Sequence, residues 1–368
     1  MIHDDPRVDR VEARCYTIPT ETPEADGTIA WDSTTVVVVE ARGGGETGYG
    51  WSYGSPAIHQ VVTSTLSPFV TGLGAWDVAS AWLGMVHLLR NAGRAGVAGD
   101  ALSAVDGALW DLKARLLGLP LHRLFGAASG TVPLYGSGGF TTFSEQQLDV
   151  QLDGWLTAGL TRVKIKIGQD AGRSTDRDLA RIRQARARIG DDVELFVDAN
   201  GGYTAKQAIR LMDEAAGSAV VWFEEPVSSD DLAGLRLVRA SVRQDVAAGE
   251  YGDGLVYFRR MLESRAVDCL QVDATRCGGP SEWQRAAALA ASFGLEVSGH
   301  CAPGMHAHVA AATPNLRHLE WFSDHVRIER MLFDGVLEPV DGSLRPDDSR
   351  PGNGLTFTAA DVERFRVH

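Results

Sequence analysis

Three carboxylates recur in phase along this 368-residue chain: Asp198, Glu224 and Glu250 follow one another at intervals of 26 and 26 residues. Each closes a short apolar run just before a loop. Lys166 ahead of them, and Asp273, His300 and Glu320 behind them, hold the same kind of place, the last three at further intervals of 23, 27 and 20 residues. Any one of these alone reads as a surface charge, a helix cap or a turn residue. As a set in phase they read as a site. Three acidic groups brought together without a cation repel one another and raise their pKa values. A divalent oxygen-loving ion resolves this, and Mg²⁺ suits a site with few protein carboxylates completed by water or substrate oxygens. Asn200, two residues past Asp198, would face the same side and could orient a water or touch substrate. Its plain alternative is a turn residue beside Gly201 and Gly202.

Lys166 belongs to the run Val163, Lys164, Ile165, Lys166, Ile167. Alternation of β-branched residues with lysine reads as a strand whose two ammonium groups share one face. The chain has only four lysines (Lys113, Lys164, Lys166, Lys206) among its 35 basic residues, so half of them sit here. An edge strand with two solvated lysines would be the bland explanation. The bias against arginine favours an amine that can lose its proton, which arginine cannot do. Asp273 and His300 close neighbouring runs. A carboxylate bonded to one imidazole nitrogen fixes the tautomer and leaves the other nitrogen for proton transfer. The segment His300, Cys301, Ala302, Pro303, Gly304, Met305, His306, Ala307, His308 also invites a zinc reading. Its spacing is not a zinc pattern, so His306 and His308 are expected to be packing or supporting groups.

Elements must position these groups. Apolar runs at 163–167, 194–198, 220–224, 246–250, 269–273, 296–300 and 318–321 alternate with amphipathic helices, for example over 176–188, 204–216, 255–263, 281–293 and 305–312. This is the grammar of a parallel sheet, and the count suits a closed (β/α) barrel, in which residues at the C-terminal strand ends meet at one mouth. An open Rossmann-like sheet is disfavoured because the barrel-like unit spacing persists throughout. Residues 8–19, 34–41 and a turn leading to Tyr49, Gly50 and Trp51 read as three strands, with a polar loop at 21–28. A helix at 101–117 presents Leu102, Val105, Ala108, Leu109, Leu112 and Leu116 on one face. The expected division is an α+β capping domain over 1–125, a barrel over 126–330 and a C-terminal segment over 331–368.

The net charge of −13 and the absence of a basic block argue against nucleic acid or an anionic membrane as partner. No apolar run reaches the ~18–20 residues that span a bilayer. Met1 to Asp5 resembles no signal peptide. Cys15, Cys269, Cys277 and Cys301 form no C-x-x-C pair, as expected of a reduced, cytoplasmic protein.

The Lys164-x-Lys166 strand, the Asp198, Glu224, Glu250 triad in its contexts Val197-Asp198-Ala199-Asn200 and Glu224-Glu225-Pro226, the Asp273–His300 dyad and Glu320 together resemble the enolase superfamily, within it the mandelate racemase subgroup. The resemblance covers nearly the whole chain. It implies a modified (β/α)₇β barrel of TIM type, an α+β capping domain, one Mg²⁺ per subunit, a small-molecule carboxylate substrate and a homo-oligomer. It also implies roles. Lys166, with a lowered pKa, and His300 would serve opposite faces of the α-carbon, while Lys164 and a protonated Glu320 would stabilise the charge that develops. A loop at 18–32 would close over the ligand. Tyr135, Ser137, Trp31 and Trp51 are candidates to touch it. No arginine stands out as a clamp for a second carboxylate, since Arg276 lies just before a helix, so a monocarboxylate is favoured. Acid-sugar dehydration leads, and racemisation or epimerisation of a 2-hydroxy acid or cyclic amino-acid derivative comes second. The cycloisomerase subgroup carries lysine where this chain has Asp273, which counts against it. A catalytically silent binding barrel is the alternative of another class.

Overall fold

A computed structural model describes residues 5–358 and 360–368; Met1 to Asp4, read above for a signal peptide, lie outside them. The first three strands, β1 (Arg10–Ala25), β2 (Ala30–Gly43) and β3 (Glu46–Tyr53), form an antiparallel meander. The helix Val97–Leu116 lies across it. Its Leu102, Val105, Leu109 and Leu112 are buried, each contributing roughly 1.5–3 kcal/mol relative to exposure. Close approach depends on glycine. A Cβ at Gly48 would stand 2.2 Å from Leu112 N, and one at Gly50 2.2 Å from Ala104 O.

Eight parallel strands follow: β4 (Val132–Gly138), β5 (Arg162–Lys166), β6 (Glu194–Asp198), β7 (Val220–Glu224), β8 (Asp245–Ala248), β9 (Cys269–Val272), β10 (Glu296–Gly299) and β11 (Leu316–Phe322). They pair in chain order, and β11 returns to β4 with Leu319 beside Leu134 and Glu320 beside Tyr135. The barrel is thus closed. A helix occupies each of the seven gaps between these strands. This is the TIM-type (β/α)₇β arrangement, carrying a capping region built from the first sheet and its helices.

Strand periodicity sorts the side chains. On β5, Val163 and Ile165 join the core beneath the outer helices, as Leu195 and Val197 do on β6. The alternate residues point inward, where Tyr135, Phe196, Trp222, Ala247 and Cys269 fill the barrel. Lys164, Lys166 and Asp198 share that inward parity near the upper end. All four cysteines are free and buried. No helix among the described residues is long and apolar enough to cross a membrane.

The expected loop at 18–32 is mostly strand. β1 and β2 run on as a hairpin with an irregularity between Pro19 and Glu24, leaving only a tip at 26–29. Its polar residues conceal the strand from a hydrophobic pattern. The tip is held from outside the sheet: Thr141 N–H donates to Ala25 O (2.8 Å), Thr141 Oγ1 to Asp26 O (2.8 Å) and Ala171 N–H to Gly27 O (2.9 Å). From the other end of the chain, Cys15 N–H donates to His368 O (3.0 Å), and Asn353 N–H donates to Asp111 (2.6 Å).

Candidate active site

Parallel register places the ionisable groups side by side. Lys166 pairs across to Asp198, and Asp198 to Glu224. Glu250, Asp273 and His300 lie one or two residues past the ends of β8, β9 and β10. Glu320 sits within β11. Carboxylate oxygens of Asp198, Glu224 and Glu250 all lie within 4.8 Å of one another, and all three side chains are buried.

Lys166 is ion-paired with Asp198, and Lys164 with Glu224; Lys164 Nζ is also 2.9 Å from Glu320 Oε1 and 3.7 Å from Asp198 Oδ2. Burial alone would pull both ammonium pKa values down, yet the carboxylates prevail and hold both above the ordinary lysine range. For Lys166, direct pairing with Asp198 outweighs desolvation and the neighbouring Lys164. Burial would raise Glu320, but the charges on Lys164, His300 and Lys166 hold it well below the usual carboxylate range.

The cluster fits a divalent cation. Burial, Asp198, Glu320 and Glu250 push Glu224 up to about 8 despite Lys164, and burial with Glu250 and Asp198 pushes Glu225 well up. Glu250 Oε2 is buried without a hydrogen-bond partner. A hard cation relieves that repulsion, and oxygen donors are what Mg²⁺ takes.

Across the mouth, His300 Nδ1 lies 2.8 Å from Asp273 Oδ2. Asp273 Oδ1 accepts from Thr275 N–H and Thr275 Oγ1, both at 2.7 Å. The carboxylate is thus an acceptor throughout. Nδ1 carries the hydrogen and Nε2 faces the mouth. Burial would lower His300, but Glu250, Glu320 and the Asp273 bond raise it above the ordinary histidine value. His306 supports from behind. Its Nδ1 faces the carbonyls of Cys301 and Ala302, each at 2.9 Å, and its Nε2 accepts from Ala274 N–H at 2.7 Å. His308 packs against His122, 3.2 Å between Nδ1 atoms.

Lys166, Glu250 and His300 open on a cavity of about 290 Å³. The hairpin supplies Asp26, Ile29, Trp31, Ser33, Thr34 and Thr35 to its wall; the barrel supplies Lys166, Asn200, Glu250, Tyr251, Arg276, His300, Cys301 and Phe322, joined by His325 from the following helix. Trp31 is fixed by its Nε1–H, which donates to Glu24 (2.9 Å), and by an edge contact with Phe140. Trp51 lies elsewhere, buried against Phe333 with 4.6 Å between ring centroids. Tyr135 and Ser137 are also fully buried and off the cavity wall. Tyr135 lies in the layer beneath, its ring 5.2 Å from the Lys164 ammonium. Sequence reasoning missed Tyr251, Cys301, Phe322 and His325 and undervalued Arg276. Arg276 Nη1 is 3.3 Å from Glu250 and its guanidinium lies over the Tyr251 ring. The signal for it was its position one helical turn after Asp273.

A closed parallel barrel that gathers an acidic cation site, two lysines and an imidazole–carboxylate pair beneath a hairpin cover defines a capped-barrel enzyme. Residues 11–126 match the mandelate racemase / muconate lactonizing enzyme N-terminal domain, and residues 147–362 match the enolase C-terminal domain-like family. The chain belongs to this family and is an enzyme of the enolase superfamily. It is 46% identical to a mandelate racemase/muconate lactonizing enzyme-like protein of known structure from Rubrobacter xylanophilus, with a TM-score of 0.95 over 98% of this chain and 100% of that one. The L-talarate/galactarate dehydratase of Salmonella typhimurium LT2, solved with Mg and L-lyxarohydroxamate, is 28% identical with a TM-score of 0.90 over 99% and 94% of the two chains. A 3,6-anhydro-alpha-L-galactonate cycloisomerase from Streptomyces coelicolor is 31% identical over 98% of this chain and 99% of its own length.

Proposed function

We propose that this protein is a Mg²⁺-dependent enzyme that abstracts the proton α to a carboxylate, and that its reaction is dehydration of an acid sugar, an aldonate or aldarate, to a 2-keto-3-deoxy acid. The observation that carries this reading is the convergence on one cavity of Glu250, Lys166 and His300, with Asp198 and Glu224 gathered against Glu250 behind its wall. Asp198, Glu224 and Glu250 would hold the ion. When bound, Mg²⁺ would supply Lewis-acid stabilisation of charge developing on the substrate carboxylate. Lys164 adds a fixed positive charge beside the same oxygens, with Glu320 holding it in place.

Lys166 takes the α-proton on one face, once its pairing with Asp198 is relaxed and Lys164 favours the neutral amine. The α C–H electron pair moves toward the carboxylate and then expels the β-hydroxyl. His300 gives that oxygen its proton, so water leaves, and the resulting enol becomes the 2-keto acid. Asp273 keeps Nε2 aimed at the cavity. Trp31 and Phe322 offer apolar plates, while Ser33, Thr34 and Asn200 offer hydrogen-bonding groups, a combination that suits a hydroxylated chain.

Incubation with Mg²⁺ and a library of aldonic and aldaric acids, with semicarbazide trapping 2-keto products, tests this. A trapped product on one epimer is expected. A second reading, racemisation or epimerisation, is favoured by two proton-transfer groups on one cavity and would appear in D₂O as α-exchange without loss of water. Silence in both assays across the library overturns the acid-sugar reading.

A further inference from the structure

We propose that His300, Cys301 and Glu320 form a second metal site, suited to a borderline, thiophilic divalent cation such as Zn²⁺ and distinct from the Asp198, Glu224, Glu250 cluster. The sequence segment from His300 to His308 has no zinc spacing, and its later histidines are engaged elsewhere. The donor set arises across two strands instead. His300 Nε2, Cys301 Sγ and a Glu320 carboxylate oxygen all lie within 4.8 Å of one another, and all three residues are buried.

Tetrahedral zinc bonds of about 2.0–2.3 Å place neighbouring donors about 3.3–3.7 Å apart. Here Cys301 Sγ is 3.3 Å and Glu320 Oε2 is 3.8 Å from His300 Nε2. Glu250 Oε2, buried and without a hydrogen-bond partner, approaches the same nitrogen at 3.3 Å. The local backbone produces this arrangement: Cys301 (φ +51°) and Ala302 (φ +38°) turn the chain so that the thiol folds back over the preceding imidazole.

The supporting bonds are those a metal-bound histidine needs. Nδ1–H donates to Asp273, which fixes the tautomer and leaves Nε2 as donor to a metal. Cys301 N–H donates to Glu320 Oε2 at 2.8 Å, tying two of the three ligands together. The oxygen-only cluster suits Mg²⁺, whereas nitrogen, sulfur and one oxygen suit zinc. On binding, the Cys301 thiol proton and any proton that His300 Nε2 carries pass to solvent, and the sulfur and Nε2 lone pairs go to the metal, with no change of oxidation state. Binding stands independently of the reaction proposed above. Its consequence, loss of His300 as a proton carrier and hence inhibition by zinc in the presence of Mg²⁺, rests on that reading.

Equilibrium dialysis of the whole protein with Zn²⁺, in Mg²⁺ sufficient to fill the carboxylate cluster, tests the site. One Zn²⁺ per chain is expected, with affinity falling about 100-fold or more in Cys301→Ser. Co²⁺ under the same conditions should give a thiolate charge-transfer absorption in the wild-type protein that is absent from Cys301→Ser and Cys301→Ala. The wild-type spectrum needs no variant to fold. Zinc fully displaced by Mg²⁺, zinc affinity unchanged in both Cys301 variants, or a cobalt protein without the thiolate band would each overturn the proposal.

Discussion

His300 Nδ1 and Asp273 Oδ2 are 2.8 Å apart, and Thr275 occupies the other oxygen of that carboxylate twice over. The imidazole is therefore held in one tautomer with Nε2 toward the cavity. Asp273→Asn can present an amide N–H to Nδ1 and invert that tautomer. A fall in kcat of about 100-fold or more is expected, with KM moving much less. Stopped-assay kinetics on whichever acid sugar is turned over checks this. Equal kcat for variant and wild type would remove His300 from the reaction.

The cation site predicts a thermal signature that needs no substrate. Mg²⁺ binds only the folded arrangement of Asp198, Glu224 and Glu250, so at 100 times its dissociation constant it should stabilise by about 2.7 kcal/mol. Unfolding followed in EDTA and in millimolar Mg²⁺ should show a rise in Tm. Glu224→Gln should abolish most of it. A rise of equal size in that variant would place the ion elsewhere.

Glu24 gives a pH dependence outside the cation site. Its carboxylate is pushed up to about 8 by burial and by Asp324, against the Trp31 hydrogen bond and Arg327, with Glu21 adding a smaller push upward. A carboxyl whose folded pKa is raised binds more protons folded than unfolded, so stability falls as pH rises from about 4.5 to about 8. Glu24→Gln keeps an acceptor for Trp31 without the charge. The variant should gain on the wild type progressively through that window, by a few kcal/mol at most, and the gap should stop growing above it. Urea denaturation at a series of pH values reads this directly. A constant gap would mean that Glu24 ionises normally.

The hairpin cover depends on Gly27. A Cβ there would stand 2.7 Å from the carbonyl oxygens of both Ala199 and Ile167, and 2.9 Å from that of Gly168. Those atoms are backbone and cannot step aside, so Gly27→Val should lift the tip from the β5 and β6 loops at a cost of about 1–3 kcal/mol. Faster proteolysis within 20–33 and a raised KM are expected, with Mg²⁺ stabilisation retained. Unchanged cleavage would show that the tip carries no such contact in solution.

Much of this site was legible in the chain because two periods coincide. The two-residue period of β5 sends Lys164 and Lys166 inward together, and the βα repeat returns a polar residue to the mouth at each turn. Where neither period applied, reading failed. The 18–32 segment is strand because it docks on barrel loops, which no local alternation reveals. Trp31 and Trp51 look equivalent in sequence, and only the packing of Trp51 against Phe333 separates them. Cys301 reaches His300 through two left-handed residues that are not glycine. The charge states of Lys166 and Glu320 depend on which carboxylate touches which ammonium, a tertiary fact that no spacing in the chain reveals.

That pairing makes a final prediction. Lys166 is the partner of a fully buried Asp198, and removing one member of a buried pair leaves an uncompensated charge, typically at a cost of about 3–5 kcal/mol. Lys164 stands 3.7 Å from the same carboxylate and should recover part of it. Lys166→Met is therefore expected to be clearly less stable than wild type in EDTA. In Mg²⁺ the gap should narrow, because Asp198 then has the cation as its counter-charge and the amine is no longer needed to hold it. The same variant, stable in Mg²⁺, should lose α-proton exchange on the face that Lys166 serves. The two readouts separate the structural from the chemical task of one side chain. A destabilisation that Mg²⁺ leaves untouched would show that Asp198 is not shared with the ion, whereas retained exchange on both faces would assign the base to another residue.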